Sequence, residues 1–345
     1  MVRERRAVHS SIPEENDEGV GDVMDLSCSL PPGPRSVEYA QLAEGLGYRR
    51  LWLYDSPLLY PDVWMTLARV AEATATLELG PGVLVPGLRH EVTTAAAIAT
   101  LETLAPGRVV VAIGTGFTAR RLLGKGPLPW KRVETYLRRL RALLRGESIS
   151  IDGRSTRMLH PSGFAPPHPL ETPILVAANG PRGQAVAHGL GDGVMAIDAP
   201  PKGFSWCAVA RSGTVLERGE TLESPRVFDA LAPAIALIYH ATYEAVGSAV
   251  DELPGGRAWR EEAERVPEPQ RHLHVHEGHC VEVPERERIF LDPKLGAMTL
   301  TGTERELRER FAALESAGAT ELLYSPGGPD IPRELRAMAK VFGGY

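Results

Sequence analysis

ELGPGVLVPGLRHEVTTAAAIATLETLAPGRVVVAIGTG, residues 78–116, reads as strand, loop, helix and strand, and the second strand runs straight into a glycine loop. Leu79 to Val85 is an apolar run interrupted by Gly80, Pro81 and Gly82, a composition that suits a buried strand carrying a bulge. Helix formers follow from Thr93 to Leu104 with apolar residues on one face, and Pro106-Gly107 stops them. Arg108 to Ile113 is a continuous β-branched run, expected of a strand covered on both faces of a parallel sheet. It ends in Gly114-Thr115-Gly116, where backbone amides can approach an anion.

Outward from that stretch, strand and helix signals alternate. Met24 to Leu30 is a first strand, Ser36 caps a helix over Val37 to Leu46, and Arg50 to Tyr54 is a second strand followed by the Asp55-Ser56-Pro57 loop. Asp62 caps Val63 to Ala73, and Trp130 to Leu144 is amphipathic. Ser148 to Leu159 predicts a hairpin closed at Asp152-Gly153. Pro173 to Ala178 is a fifth strand feeding the Asn179-Gly180-Pro181 loop, Arg182 to Leu190 a helix, and Gly193 to Ile197 a sixth strand. Ser205 to Arg218 is expected to be helical and Ala230 to Tyr239 to be the seventh strand. Thr303 and Glu306 form a capping box for Glu304 to Ala317, Glu321 to Ser325 is the last strand, and Ile331 to Phe342 closes the chain. Eight strands, nearly all separated by helices, predict an α/β protein of the (β/α)8 TIM barrel type, with an insertion after strand seven over about 240–300.

Bulk properties agree with that class. The chain has 345 residues, the size of one such barrel with insertions, and a net charge of -6 that leaves no electrostatic footprint for nucleic acid or an anionic membrane. Cys28, Cys207 and Cys280 are few, odd in number and far apart, as for free thiols in a reducing, cytoplasmic setting. No apolar run approaches the roughly 18 residues of a membrane span. Residues 1–22 carry basic and acidic groups without an apolar core, so a disordered tail is expected ahead of a single barrel over 23–345.

In a (β/α)8 barrel the chemistry sits at the C-terminal ends of the strands. Asp55-Ser56, Gly82-Val83, Gly114-Thr115-Gly116, Asn179-Gly180 and Gly327-Gly328 then share one rim. A lone G-T-G is more often a tight turn than a phosphate site. Two glycine loops after neighbouring strands strengthen the second reading, because both offer amides to one anion.

In order, GPGVLVPGLRHEVTTAAAIATLETLAPGRVVVAIGTG, WKRVETYLRRLRALLRGESISIDG, TPILVAANGPRGQAVAHGLGDGVM and LTGTERELRERFAALESAGATELLYSPGG make the chain resemble the bacterial luciferase-like superfamily. Within it the chain resembles the branch that uses the 8-hydroxy-5-deazaflavin coenzyme F420, which includes methylenetetrahydromethanopterin reductase and the sugar-phosphate dehydrogenases. The resemblance implies that Gly114, Thr115 and Gly116, with Ala178, Asn179 and Gly180, hold the phosphate tail of the cofactor. It places Asp55 by the ring and makes Gly82-Val83 a bulge under it, joined by a non-prolyl cis peptide. On that reading Gly82→Val impairs cofactor binding more than stability. Arg120 and Arg121 follow the glycine loop closely enough to meet an anionic tail.

Two departures narrow the chemistry. Where the sugar-phosphate dehydrogenases have a histidine after the aspartate, this chain has Ser56, and their acid after G-T-G is Phe117 here. The acid/base pair of that reaction is therefore missing, and glucose 6-phosphate is excluded as the expected substrate. The resemblance implies hydride transfer between the deazaflavin and a small organic substrate, and a homodimer. An FMN-dependent monooxygenase is the rival, and a cofactor-binding protein without turnover is the third reading.

The insertion holds Arg271-His-Leu-His-Val-His-Glu-Gly-His279. His272, His274 and His276 alternate, so an extended segment would place them on one side. His276-Glu-Gly-His279 lacks the spacing that puts two ligands one helical turn apart, so no metal is expected. His240, His276 and His279 are instead candidates for the substrate pocket and for the missing acid/base, beside Asp55 and Ser56.

Overall fold

Eight short strands with few polar side chains, and therefore best covered on both faces, lie parallel in one sheet in the computed structural model, which describes residues 24–197 and 199–345. They are β1 (Asp25–Leu30), β2 (Arg50–Leu53), β3 (Glu78–Pro81), β4 (Val111–Ile113), β7 (Ile174–Ala177), β8 (Gly193–Ala196), β9 (Cys207–Ser212) and β10 (Glu321–Ser325). Residues 1–22, the expected tail, lie outside the described residues. The hydrogen-bonded order is β3-β2-β1-β10-β9-β8-β7-β4. Parallel bridges Leu79 to Val109 and Leu84 to Ile113 then join the two end strands and close the barrel. The remaining two strands, β5 (Ile149–Ile151) and β6 (Arg154–Thr156), form the expected antiparallel hairpin, with Asp152 at φ 50° and Gly153 at φ 76° in its turn.

The outer layer is α1 (Ser36–Gly45), α2 (Val63–Ala73), α3 (Glu91–Leu104), α4 (Phe117–Arg121), α5 (Trp130–Leu144), α6 (Pro181–Leu190), α11 (Glu304–Ser316) and α12 (Ile331–Phe342), while α7 (Pro225–Val246), α8 (Gly256–Glu264), α9 (Glu268–Val275) and α10 (Glu285–Arg288) belong to the insertion. Asp62 caps α2 through Trp64 and Met65, and Thr303 and Glu306 cap α11 reciprocally. Ser36 does not cap α1. It is the first helical residue, and its Oγ accepts from the Gly33 amide at 2.8 Å, fixing the proline-glycine turn ahead of the helix.

Two elements differ from the sequence reading. The seventh strand is Cys207–Ser212, inside the segment expected to be helical, and it pairs with β8 and β10 on its two sides. Ala230 to Tyr239 is the middle of α7, with Pro233 inside the helix. No residue of either run is exposed, so neither shows the periodicity that separates helix from strand. The excursion between β9 and α11 is therefore a helical layer with its own core of Val227, Leu231, Ile235, Tyr239, Trp259 and Leu291.

Inside the barrel, Trp52, Val110, Ala112, Leu175, Ala208 and Leu323 pack as one layer. The Gly82–Val83 peptide is cis. A Cβ built on Gly82 would lie 2.9 Å from Trp52 Cβ, so Gly82→Val carries a packing cost beside any effect on cofactor binding. Gly82→Val is expected to lower the unfolding free energy by about 1–3 kcal/mol through overpacking, read from urea denaturation, as well as altering the rim. Among the described residues no helix is long and apolar enough to cross a membrane.

Candidate active site

The rim at the C-terminal ends of the strands gathers the glycine loops. Gly114 donates to Leu84 O at 3.1 Å, which ties the start of the G-T-G loop to β3, and Leu128 donates to Thr115 O at 2.9 Å. Among the described residues, the amides of Thr115, Gly116 and Phe117 have no protein acceptor. Gly116 has φ 78°, and a Cβ there would lie 2.3 Å from Val85 Cγ1, so the loop requires glycine on two counts. A Cβ on Gly114 would approach Val83 Cγ2 at 3.2 Å, which places the loop directly against the bulge.

The second loop, after β7, has a different economy of bonds. Ala178 donates to Met195 O at 2.9 Å, and Asn179 Oδ1 accepts from Ile197 N at 2.9 Å, so the Asn179 side chain staples the ends of β7 and β8. Gly180 is the N-cap of α6 and has open space where a Cβ would stand. Exposed amides at Asn179 and Gly180 thus face the same rim as those of the first loop. Both loops together suit the phosphate of a nucleotide-like cofactor. Arg120 is tied back to its own loop, with Nε donating to Gly126 O at 2.7 Å, and Arg121 pairs with Glu244 at 3.4 Å.

Asp55 is buried at the end of β2 with a partner that the sequence reading missed. Arg89 donates to Asp55 Oδ1 at 3.0 Å and Oδ2 at 3.3 Å, and also to Asp62 Oδ2 at 2.8 Å. Both carboxylate oxygens of Asp55 are thereby held by a cation, an arrangement better suited to fixing the loop than to moving a proton. Ser56 accepts through its carbonyl from Leu59 and Tyr60, forming the turn that brings Tyr60 to the insertion. Tyr60 donates its hydroxyl to the His279 carbonyl.

His240, His276 and His279 do come together, all buried, with one ring nitrogen from each within 4.8 Å of the others. The extended segment expected for His272, His274 and His276 is the helix α9, which splays the first two away. His276 caps the end of that helix, and a turn through Gly278, φ 70°, returns His279. His240 arrives from α7. Burial, then the adjacent His240 and His276 rings, hold His279 well below the ordinary histidine range, so it is neutral near pH 7. His279 Nε2 lies 3.2 Å from Thr118 Oγ1, which links the cluster to α4 just beyond the glycine loop.

One cleft, about 710 Å³, lies around Pro106, Gly107 and Pro173, where strands begin rather than end. A second, about 450 Å³, is lined by Leu58, Leu59, Leu122, Leu273 and His276, between the β2 loop, the end of α4 and the insertion. Position relative to the strand ends, not size, marks the second as relevant to chemistry.

With the barrel and rim in place, comparison with known proteins agrees. The sequence profile of luciferase-like monooxygenases matches residues 12–321, and the chain belongs to that family. It is 27% identical over 318 residues to a 5,10-methylenetetrahydromethanopterin reductase of Archaeoglobus fulgidus, covering 88% of this chain and 92% of that one. It is 35% identical over 201 residues to an F420-dependent hydroxymycolic acid dehydrogenase of Mycobacterium tuberculosis, covering 53% and 54%. In three dimensions it is similar to the coenzyme F420 dependent tetrahydromethanopterin reductase of Methanopyrus kandleri, with a TM-score of 0.63 at 18% identity over 92% of this chain and 98% of that one.

Proposed function

We propose that this oxidoreductase binds the deazaflavin coenzyme F420 at the rim and transfers hydride between it and a small organic substrate. The cofactor choice rests on the sequence relatives named above: one aligns along nearly the whole chain, and another is F420-dependent by name. An FMN-bound monooxygenase is similar in fold only, at 14% identity. The deazaflavin, when bound, supplies the hydride donor or acceptor carbon, and the protein's part is positioning and electrostatics.

Thr115, Gly116 and Phe117 offer unpaired amides to the phosphate, with Asn179 and Gly180 opposite them. The Gly82–Val83 bulge bounds the ring, and Asp55, locked by Arg89, holds the loop at its edge. The cleft lined by Leu58, Leu59, Leu122 and Leu273 together with His274, His276 and Glu277 gives a mixed apolar and polar approach for substrate. Purified protein titrated with F420 is expected to quench its fluorescence saturably, and FMN is expected to bind more weakly. Tight FMN binding with oxygen consumption, and no response to F420, would overturn the proposal in favour of a monooxygenase.

A further inference from the structure

We infer that His240, His276 and His279 form a binding site for a divalent transition-metal ion of the zinc class inside the insertion, next to the barrel rim. The inner nitrogens carry the case. His279 Nδ1 stands 3.3 Å from His240 Nδ1 and 3.3 Å from His276 Nδ1. Each outer nitrogen already faces oxygen: His240 Nε2 meets Glu287 Oε1 at 2.5 Å, His276 Nε2 meets Glu244 Oε1 at 2.6 Å, and His279 Nε2 meets Thr118 Oγ1 at 3.2 Å. With hydrogens on the outer nitrogens satisfying those three contacts, the inner nitrogens carry lone pairs that meet at His279 Nδ1.

No rearrangement of protons repairs this. Each Nδ1 carries either one hydrogen or one lone pair, and His279 Nδ1 is shared by both inner contacts. It has one hydrogen for two acceptors, or one lone pair for two donors, so the two contacts never each have their own of both. A cation between the rings satisfies all three lone pairs together. Zinc bound by imidazole at about 2.0–2.1 Å, with tetrahedral angles, sets its ligand atoms about 3.3–3.4 Å apart, which matches the two inner contacts.

The surroundings are those of a metal-binding histidine set. Glu287 and Glu244 orient two of the rings from behind, as carboxylates do when they hold the far nitrogen of a metal-bound imidazole. Trp259 Nε1 fixes Glu287 in turn at 2.8 Å. Among the described residues, Glu287 has no ion-pair partner other than His240, and it is largely buried. A divalent ion held by the histidines offsets that charge. Three imidazoles without thiolate suit zinc, cobalt, nickel or copper, and leave a fourth position for water. His279 then links the ion through Thr118 to the helix that follows the glycine loop.

The test uses full-length protein without an affinity tag, dialysed against chelator, reloaded with Zn²⁺ alone and desalted. Mass spectrometry of the metal is expected to find one ion per chain, and Co²⁺ in its place is expected to give the visible bands of a four-coordinate site. His240→Ala, His276→Ala and His279→Ala should each weaken Zn²⁺ binding by more than ~100-fold, and Glu287→Gln, which keeps the shape, by about 10- to 100-fold. His274→Ala, a histidine of the same insertion outside the cluster, should bind as the unaltered protein does. Should a ligand variant fail to fold, the metal content of the unaltered protein and the Glu287→Gln shift still decide. No retained zinc with no cobalt bands overturns the inference, and so does equal loss in His274→Ala.

Discussion

Glu321→Ala lowers the unfolding free energy by about 3–5 kcal/mol, the cost of removing one partner from a buried, charged hydrogen-bond network. Glu321 opens β10 and is fully buried, yet it accepts from Arg50 Nη1 at 2.9 Å, Trp52 Nε1 at 3.1 Å and Trp206 Nε1 at 2.7 Å. Arg50 also pairs with Asp25 at 2.9 Å and Glu78 at 2.5 Å, and its guanidinium lies over the Trp206 ring. The network therefore spans β1, β2, β3 and β10 at the N-terminal end of the barrel, the end opposite the chemistry, where side chains serve stability. Alanine would leave the buried Trp52 N–H and the partly buried Trp206 N–H without that acceptor, and one carboxylate fewer around Arg50. Urea unfolding followed by circular dichroism measures the loss, and Glu321→Gln, which keeps one acceptor oxygen, should fall between. A loss below about 1 kcal/mol would show that water replaces the carboxylate there and that the network contributes little.

Gly116→Val is expected to weaken F420 binding by about 10- to 100-fold. The residue sits at φ 78°, where a side chain costs about 1–3 kcal/mol, and its Cβ would overlap Val85. The loop relieves both by moving, and the unpaired amides of Thr115, Gly116 and Phe117 move with it. At 1.4 kcal/mol per tenfold, that strain converts to the stated range. Fluorescence titration reads the affinity, with thermal unfolding of the same sample to separate a displaced loop from a lost fold. Gly126→Ala, where a Cβ meets nothing within 4 Å, serves as the control and should bind normally. Equal affinity in Gly116→Val and the control would place the phosphate somewhere other than this loop.

Parts of the site were legible because a single residue type carries them. Gly116 and Gly82 stand out in sequence as glycines closing apolar runs, and the structure needs both, Gly116 for its φ of 78° and Gly82 because a Cβ would meet Trp52 at 2.9 Å; the two loops fall after strands four and five in chain order. Arg89 gave no such signal. Its position between Asp55 and Asp62 exists only once α2 and the loop after β3 are packed, and in sequence it is one arginine among many. Glu287, Glu244 and Thr118 were missed for the same reason, since each meets a histidine from a distant segment. The spacing of His276 and His279 argued against a metal because it was judged on a helix, whereas a glycine turn brings the two rings together and α7 delivers the third.

Local residue chemistry is enough to set the barrel's alternation of strands and helices and where its elements stop. Asp62, Thr303 with Glu306, Asp152-Gly153 and Pro106-Gly107 act within a few residues of themselves, so their chemistry needs no distant partner. Tertiary structure alone decided which apolar run became the seventh strand. Cys207–Ser212 is a strand because β8 and β10 each offer it a free edge, and Ala230 to Tyr239 is helical because it packs on a layer of helices. A run with no exposed residue carries little pattern of exposure along the chain, so its conformation follows from the neighbours that cover it.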